Sequence, residues 1–166
     1  MKKIFLISII LTFTILSGIP GGMVQAELID HVCAFVDNDA ITLSELTKSY
    51  NETRAKIPKV TKDEVLNTMI NRILLKRAAL SMKIAGTDED RIIAEYIDLK
   101  VRSYVIIKEE DIEDFYSKNK KEFAGADISD VKSDIEKLLT EQEVNTRLAA
   151  LLSELRKQAY VKIQLE

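Results

Sequence analysis

The sequence predicts a mainly α-helical domain with one small β-sheet, formed by an N-terminal hairpin and the C-terminal strand. Three observations predict this class. Apolar residues recur at helical spacing through most of residues 44–158. Residues 160–165 alternate between apolar and polar side chains, as a strand does. A terminal strand of about six residues is not stable alone, and the other strand-like region is 28–42, so we expect the two ends of the mature chain to pair.

Residues 1–26 have the order of a secretory signal peptide. Two lysines follow Met1, residues 4–16 are almost wholly apolar and carry no charge, and Val24-Gln25-Ala26 fits a small-residue cleavage site. We therefore expect export to the periplasm with cleavage after Ala26, the alternative being an uncleaved anchor. The apolar run is shorter than the roughly 20 residues that span a membrane. We also expect no stable membrane span after the signal is cleaved.

The expected mature chain, residues 27–166, has the length of a single domain. Without the two lysines of the signal, 22 of the 24 basic residues remain beside 27 acidic residues, so the net charge of the mature chain is about −5. The charges are interspersed, so no basic stripe for nucleic acid exists. Its one cysteine, Cys33, excludes an internal disulfide and is expected to be a small buried residue, with an intermolecular disulfide as the alternative. Asp30 just upstream argues against a lipidated cysteine.

The hairpin is predicted from a strand at residues 28–36, a turn at 37–39 and a short return strand at 40–42. Strand alternation would divide the first strand between two faces. One face would carry Val32, Ala34 and Val36, and the other His31, Cys33 and Phe35.

Five helices are predicted to follow the hairpin. Capping-box spacing starts the first two, at Thr42 with Glu45 and at Thr61 with Glu64. Gly86 is expected to supply the left-handed conformation after the second helix. The predicted helical ranges are 44–56, which Pro58 ends, 61–82, 87–105, 109–121 and, after Gly125, 129–158. The last helix carries apolar residues on one side, Val131, Ile135, Leu138, Leu148, Leu152 and Leu155.

No set of residues in the sequence has the spacing of a catalytic or metal site. The single histidine, His31, is expected to be structural, and one His with one Cys cannot form a zinc cluster. No nucleophile motif or Gly-rich phosphate loop occurs. The acids of residues 109–114 are better explained as a helix start than as a cation site. We therefore expect no enzyme activity, no cofactor and no metal.

The second and third helices carry more large apolar side chains than one stripe can bury, which suggests a partly exposed groove. Methionine and tyrosine adapt to varied partners. The alternative is that all of these residues belong to the core. The candidate groove residues are Ile57, Val60, Met69, Met82, Tyr96 and Tyr104.

Four segments in order resemble the SurA-type periplasmic chaperones. The hairpin and capped helix VCAFVDNDAITLSEL (32–46) looks like the opening of that family, and VLNTMINRILL (65–75) is similar to its second helix. IKEEDIEDFYSKNKKEF (107–123) resembles the segment that leads into the family's isomerase domain. LRKQAYVKI (155–163) resembles the family's C-terminal helix and strand.

The chain departs from the family where a parvulin prolyl-isomerase domain would be inserted. Only residues 124–128 lie between the lead-in and the last helix, whereas an isomerase domain needs on the order of a hundred residues. Residues 87–108 also look compressed, as if two family helices had become one. The resemblance therefore implies the chaperone module alone, with residues 27–123 completed by 129–166, and no catalytic residue.

Together these patterns indicate an ATP-independent periplasmic chaperone without isomerase activity. Its partners would be unfolded or nascent exported polypeptides, including outer-membrane proteins, held by apolar burial. The alternative is a structural or interaction protein that uses the same fold for one dedicated partner or for a homodimer.

Overall fold

The computed structural model describes residues 30–165 of the chain. The predicted signal peptide, residues 1–26, lies outside the described residues. The elements occur in the order β1 (Val32–Val36), β2 (Asp39–Thr42), α1 (Leu43–Lys56), α2 (Lys62–Ser81), α3 (Glu89–Lys100), a short 3₁₀ helix (Arg102–Tyr104), α4 (Glu109–Lys118), α5 (Ile128–Gln158) and β3 (Val161–Ile163).

The three strands form one antiparallel sheet in the order β2-β1-β3. Phe35 of β1 lies opposite Lys162 of β3. Backbone hydrogen bonds extend this pairing beyond the strand ends, from the Gln164 N–H to the Cys33 carbonyl at 2.7 Å and from the Asp37 N–H to the Tyr160 carbonyl at 2.8 Å. The predicted fold class, with a hairpin completed by the C-terminal strand, is therefore confirmed.

A bulge in β1 changes which side chains the sheet buries. Val32 pairs with Thr42 but Ala34 pairs with Ile41, so β1 has one more residue than β2 in this stretch. As a result Cys33 and Ala34 are both buried. The predicted strict alternation, with Cys33 and Ala34 on opposite faces of a regular strand, was therefore wrong for this pair, while the predicted burial of Cys33 is confirmed.

Asp37 joins the hairpin turn to β3 and to α2. Its backbone has a positive φ of 50°, which Asp tolerates better than most residues. Its Oδ1 accepts the Tyr160 N–H at 2.7 Å, and its Oδ2 pairs with the Arg77 guanidinium. The Tyr160 N–H first, and then Arg77, hold the pKa of Asp37 below its ordinary value. One carboxylate thus connects three elements that are far apart in the sequence.

Both predicted capping boxes are present, at Thr42 with Glu45 and at Thr61 with Glu64. The prediction for the end of α2 was wrong. Lys83, not Gly86, takes the left-handed conformation, with φ of 61°. The Ile84 N–H then reaches the Ala79 carbonyl and the Lys83 N–H reaches the Leu80 carbonyl, which is the Schellman pattern.

Helix α3 is shorter than predicted. It ends at Lys100 rather than near residue 105, because Val101 leaves helical geometry at φ −124° and ψ −66° while its side chain is buried. Arg102 then reaches Glu141 of α5 at 2.8 Å and Asp98 at 3.2 Å. These tertiary contacts stabilise the short 3₁₀ helix, and residues 105–108 continue as a connector to α4.

Two apolar clusters form the core, and the C-terminal half of α5 contacts both. The first lies between the sheet, α1 and α2, and the second between α2 and α3. Leu155 packs against both clusters. Next to it, Arg156 donates to the side-chain oxygens of Asn71 at 2.8 Å and Asn67 at 3.0 Å. The last helix is therefore anchored on α2 immediately before the chain enters β3.

Helix α4 packs against the N-terminal half of α5. Ile112 and Ile135 are buried, and Lys132 pairs with Glu109 at 2.5 Å. Helix α4 ends at Lys118, earlier than the predicted 121. In the turn that follows, the Phe123 ring stacks on Tyr116 at 5.3 Å between centroids.

Within residues 30–165, no helix is both long and apolar enough to cross a membrane.

The left-handed conformation of Lys83 predicts how substitutions there change the free energy of unfolding. Because a side chain with a Cβ is strained at this φ, by roughly 1–2 kcal/mol, Lys83→Gly should raise the free energy of unfolding by about 0.5–1 kcal/mol after the entropic cost of glycine. Urea unfolding measures the change. Lys83→Ala is the matched control, since it removes the same charge but keeps the Cβ. An equal gain in both variants would contradict this explanation.

The interactions of Asp37 predict that the stability of the fold depends on pH. Since the folded pKa of Asp37 is lowered, its contribution is present above the unfolded pKa of about 3.9 and is lost as the pH falls through the lower folded value. Asp37→Asn, which tolerates positive φ equally, should be less stable than the wild type at neutral pH. The gap between their urea midpoints should narrow between about pH 5 and pH 2. A gap that stays constant across this range would show that the carboxylate charge contributes nothing.

Candidate functional site

Two of the predicted groove residues, Met82 and Tyr96, line one cleft. This α2–α5 cleft has a volume of about 410 Å³ and lies between α2, α3, the end of α5 and the hairpin turn. Its apolar part includes Leu74 and Leu155, and Arg77 and Lys100 lie at its polar side. Met82 is 47% exposed. The cleft therefore offers one flexible apolar side chain beside Lys100 and the Arg77–Asp37 ion pair.

Tyr96 contributes to this cleft mainly as a wall. It is only 4% exposed and belongs to the second core cluster. Burial raises the pKa of its hydroxyl, so the group stays neutral. A residue this buried stabilises the fold by apolar packing and offers little surface to a partner.

The predicted residues Ile57, Val60 and Met69 lie elsewhere, around the connection between α1 and α2. The Val60 N–H donates to the Ile57 carbonyl at 3.1 Å. Val60 and Met69 pack against the first core cluster, whereas Ile57 is 56% exposed. Of these three, only Ile57 presents most of its side chain to solvent.

Tyr104 lies in the 3₁₀ helix after α3 and is 63% exposed. The structure therefore does not bring the six predicted residues into one groove. They divide between the α2–α5 cleft, the α1–α2 connection and the exposed 3₁₀ helix. The prediction of a single contiguous surface made from helices two and three does not describe their arrangement.

A larger depression, lined by both polar and apolar side chains, opens between the connector, α4 and α5. This α4–α5 groove has a volume of about 570 Å³. Its apolar lining consists of Ile106, Ile107, Phe115 and Leu139. Ile106 is 81% exposed, more than any other large apolar residue of the described chain.

Both helices present one face to the α4–α5 groove. Helix α4 contributes residues 111, 114, 115 and 118, and α5 contributes 139, 142, 143 and 146. Each set has the spacing i, i+3, i+4, i+7 of a single helical face. Two turns at about 1.5 Å per residue make a groove roughly 10 Å long.

Ile106, Ile107 and Leu139 were not among the predicted site residues. One signal in the sequence points to the two isoleucines, which form an adjacent apolar pair shortly before the acidic start of α4. Successive side chains of an extended connector point in opposite directions. A contact that partly buries Ile107 therefore leaves Ile106 exposed.

Cys33 and His31 share the lining of a further cavity, with Leu43 and Leu165. Burial raises the pKa of the Cys33 thiol, which is the opposite of what an activated nucleophile needs. Among residues 30–165, no group of three or more His, Cys, Asp or Glu side chains is arranged to hold a metal ion.

The two kinds of predicted residue can be separated by introducing a charge. Met69→Asp should destabilise the protein by about 2–4 kcal/mol, because it places a carboxylate against the first core cluster. Tyr104→Asp should change the free energy of unfolding by no more than about 0.5 kcal/mol, since its side chain is mostly solvated. Urea unfolding of both variants tests this, and comparable losses would contradict the assignment.

Comparison of the chain with protein-family models gave no match, and comparison with curated proteins gave none either. The resemblance to SurA-type chaperones stays a prediction from the four sequence segments.

Proposed function

We propose that this protein is an ATP-independent periplasmic chaperone that holds unfolded exported polypeptides, outer-membrane proteins among them, in the α4–α5 groove and has no isomerase activity. The main support for the proposal is the exposure of Ile106, which lines an open groove together with Ile107, Phe115 and Leu139. An isoleucine so exposed adds nothing to the core, whereas its full burial against a partner contributes about 1.5–3 kcal/mol.

The shape and openness of the site support reversible binding of many sequences. The apolar lining is shallow and is contributed by a connector and two helical faces. Contacts of this kind are non-directional, so they select for apolar character rather than for one sequence. A partner held by a few such side chains is bound weakly enough to leave without a nucleotide.

Tyr104 extends the apolar surface next to the groove. It lies two residues before Ile106, and both are largely solvent-exposed. Arg102, between α3 and Tyr104, is fixed to Glu141 of α5 at 2.8 Å. The connector is therefore attached to the helix that carries the rest of the groove, so its apolar residues need little ordering when a partner binds.

The proposal predicts that the protein suppresses aggregation of an unfolded outer-membrane protein at stoichiometric ratios without ATP. Ile106→Asp should abolish most of this suppression without unfolding the protein, because the new carboxylate stays solvated in the free state but must be desolvated when a partner binds. Light scattering of the diluted client, with circular dichroism of the variant, measures both effects. The rate of proline-limited refolding should be the same with and without the protein.

Ile57→Asp is the matched control. It introduces the same charge at a mostly exposed isoleucine on the α1–α2 connection, which does not line the groove. It should leave suppression intact. Loss of suppression in Ile57→Asp but not in Ile106→Asp would place the binding surface on the α1–α2 connection instead.

A further inference from the structure

The charged side chains around the α4–α5 groove are mainly acidic. Asp111, Asp114 and Glu143 line it, against a single cation, Lys118. Lys118 Nζ lies 3.6 Å from Asp114, and both side chains are largely exposed. The lining therefore combines four apolar side chains, which we call the floor, with charged side chains of net negative charge, which we call the rim.

The rest of α4 strengthens this negative potential. Its first six residues include five acids, among them Glu109 and Glu113. Lys132 of α5 pairs with Glu109 at 2.5 Å, and it also interacts with the charge of Glu113. The summed negative potential of acidic side chains along a groove raises the local concentration of cationic partners.

The rim acids keep capacity for a further partner. Asp111 uses Oδ2 to accept the Lys108 N–H at 3.0 Å, which leaves its charge in place. Glu143 pairs with Arg147 at 2.6 Å through Oε1. A carboxylate accepts hydrogen bonds at both oxygens, so an incoming ammonium or guanidinium group has an acceptor on each side of the apolar floor.

The size of the groove limits what fits. Its length of roughly 10 Å matches about three residues of extended chain at 3.3–3.6 Å each. Side chains that flank such a segment would lie within reach of the charged residues of the lining. The groove thus accommodates a short apolar segment with one charged residue at either side.

We propose that the α4–α5 groove binds short extended apolar segments that are flanked by lysine or arginine, in preference to the same segments flanked by acids. This inference rests on the proposed chaperone function and names the class of sequence that the groove selects. The apolar floor supplies most of the binding, and the rim acids Asp111, Asp114 and Glu143 supply the preference for basic flanks.

A second copy of this chain fits the groove less well. The chain itself has a net charge of −3, and like net charges oppose association at an acidic surface. A basic flank, by contrast, meets the rim with opposite sign. Charge complementarity therefore favours a cationic polypeptide segment as the occupant.

Two fluorescent pentapeptides with the same Leu-Phe-Leu centre test the preference, one with lysine and one with glutamate at each end. At low salt the lysine peptide should bind the purified protein on the order of fivefold more tightly, the effect expected of two exposed charge pairs. The ratio of affinities should fall toward one at about 0.5 M salt, because screening at that ionic strength acts within a few ångströms. Fluorescence anisotropy measures both affinities.

Matched variants show where the preference originates. The double variant Asp114→Asn, Glu143→Gln should bring the affinity ratio to about twofold or less while retaining binding of both peptides. Glu52→Gln, Glu95→Gln removes two exposed acids from α1 and α3 and changes the net charge equally, so it should keep the full ratio. An equal loss in both variants would overturn the groove assignment.

The remaining outcomes separate this inference from the function on which it rests. Equal affinity for the two peptides, with aggregation still suppressed, would overturn the basic preference and leave the chaperone proposal standing. Binding of neither peptide together with no suppression would overturn both. A wild-type dimer in analytical ultracentrifugation that Asp114→Asn, Glu143→Gln converts to a monomer would show that a second copy occupies the groove, and would overturn the peptide preference.

Discussion

The antiparallel pairing of β1 with β3 is the constraint on which the rest of the structure depends. It joins strands at Val32–Val36 and Val161–Ile163. The helices between the two strands must therefore bring the chain back to β1. Asp37 reinforces the junction by accepting the Tyr160 N–H and pairing with Arg77 of α2. Because β3 follows α5 after only two residues, this pairing also fixes where the long helix ends.

From that fixed end, α5 has two environments along its length. Its C-terminal half is anchored on α2, where Leu155 contacts both core clusters and Arg156 bonds the two asparagines. Its N-terminal half supports α4 through Ile135 and Lys132. On this half, part of the face near Leu139 stays open and forms one wall of the α4–α5 groove. The proposed binding surface therefore depends on how α4 packs against α5.

Apolar residues that look alike in the sequence have different environments in the fold. Tyr96 and Met69 were candidates for a groove, yet Tyr96 is buried and Met69 packs against the core. Ile106 was not a candidate, yet it is the most exposed large apolar residue that the structure describes. Helical spacing identifies the face that a residue occupies, but only the neighbouring elements decide whether that face is covered.

The sequence by itself determined the fold class and both capping boxes, since these depend on periodicity and on residues three apart. It also determined the pairing of the hairpin with the terminal strand, because a short last strand needs a partner and one other region has strand spacing. The tertiary structure alone decided the bulge at Cys33, the early end of α3 at Lys100 and the left-handed Lys83. It also decided the position of the groove. The end of α3 and the position of the groove depend on contacts between distant segments, such as Arg102 with Glu141, and local patterns carry no information about such contacts.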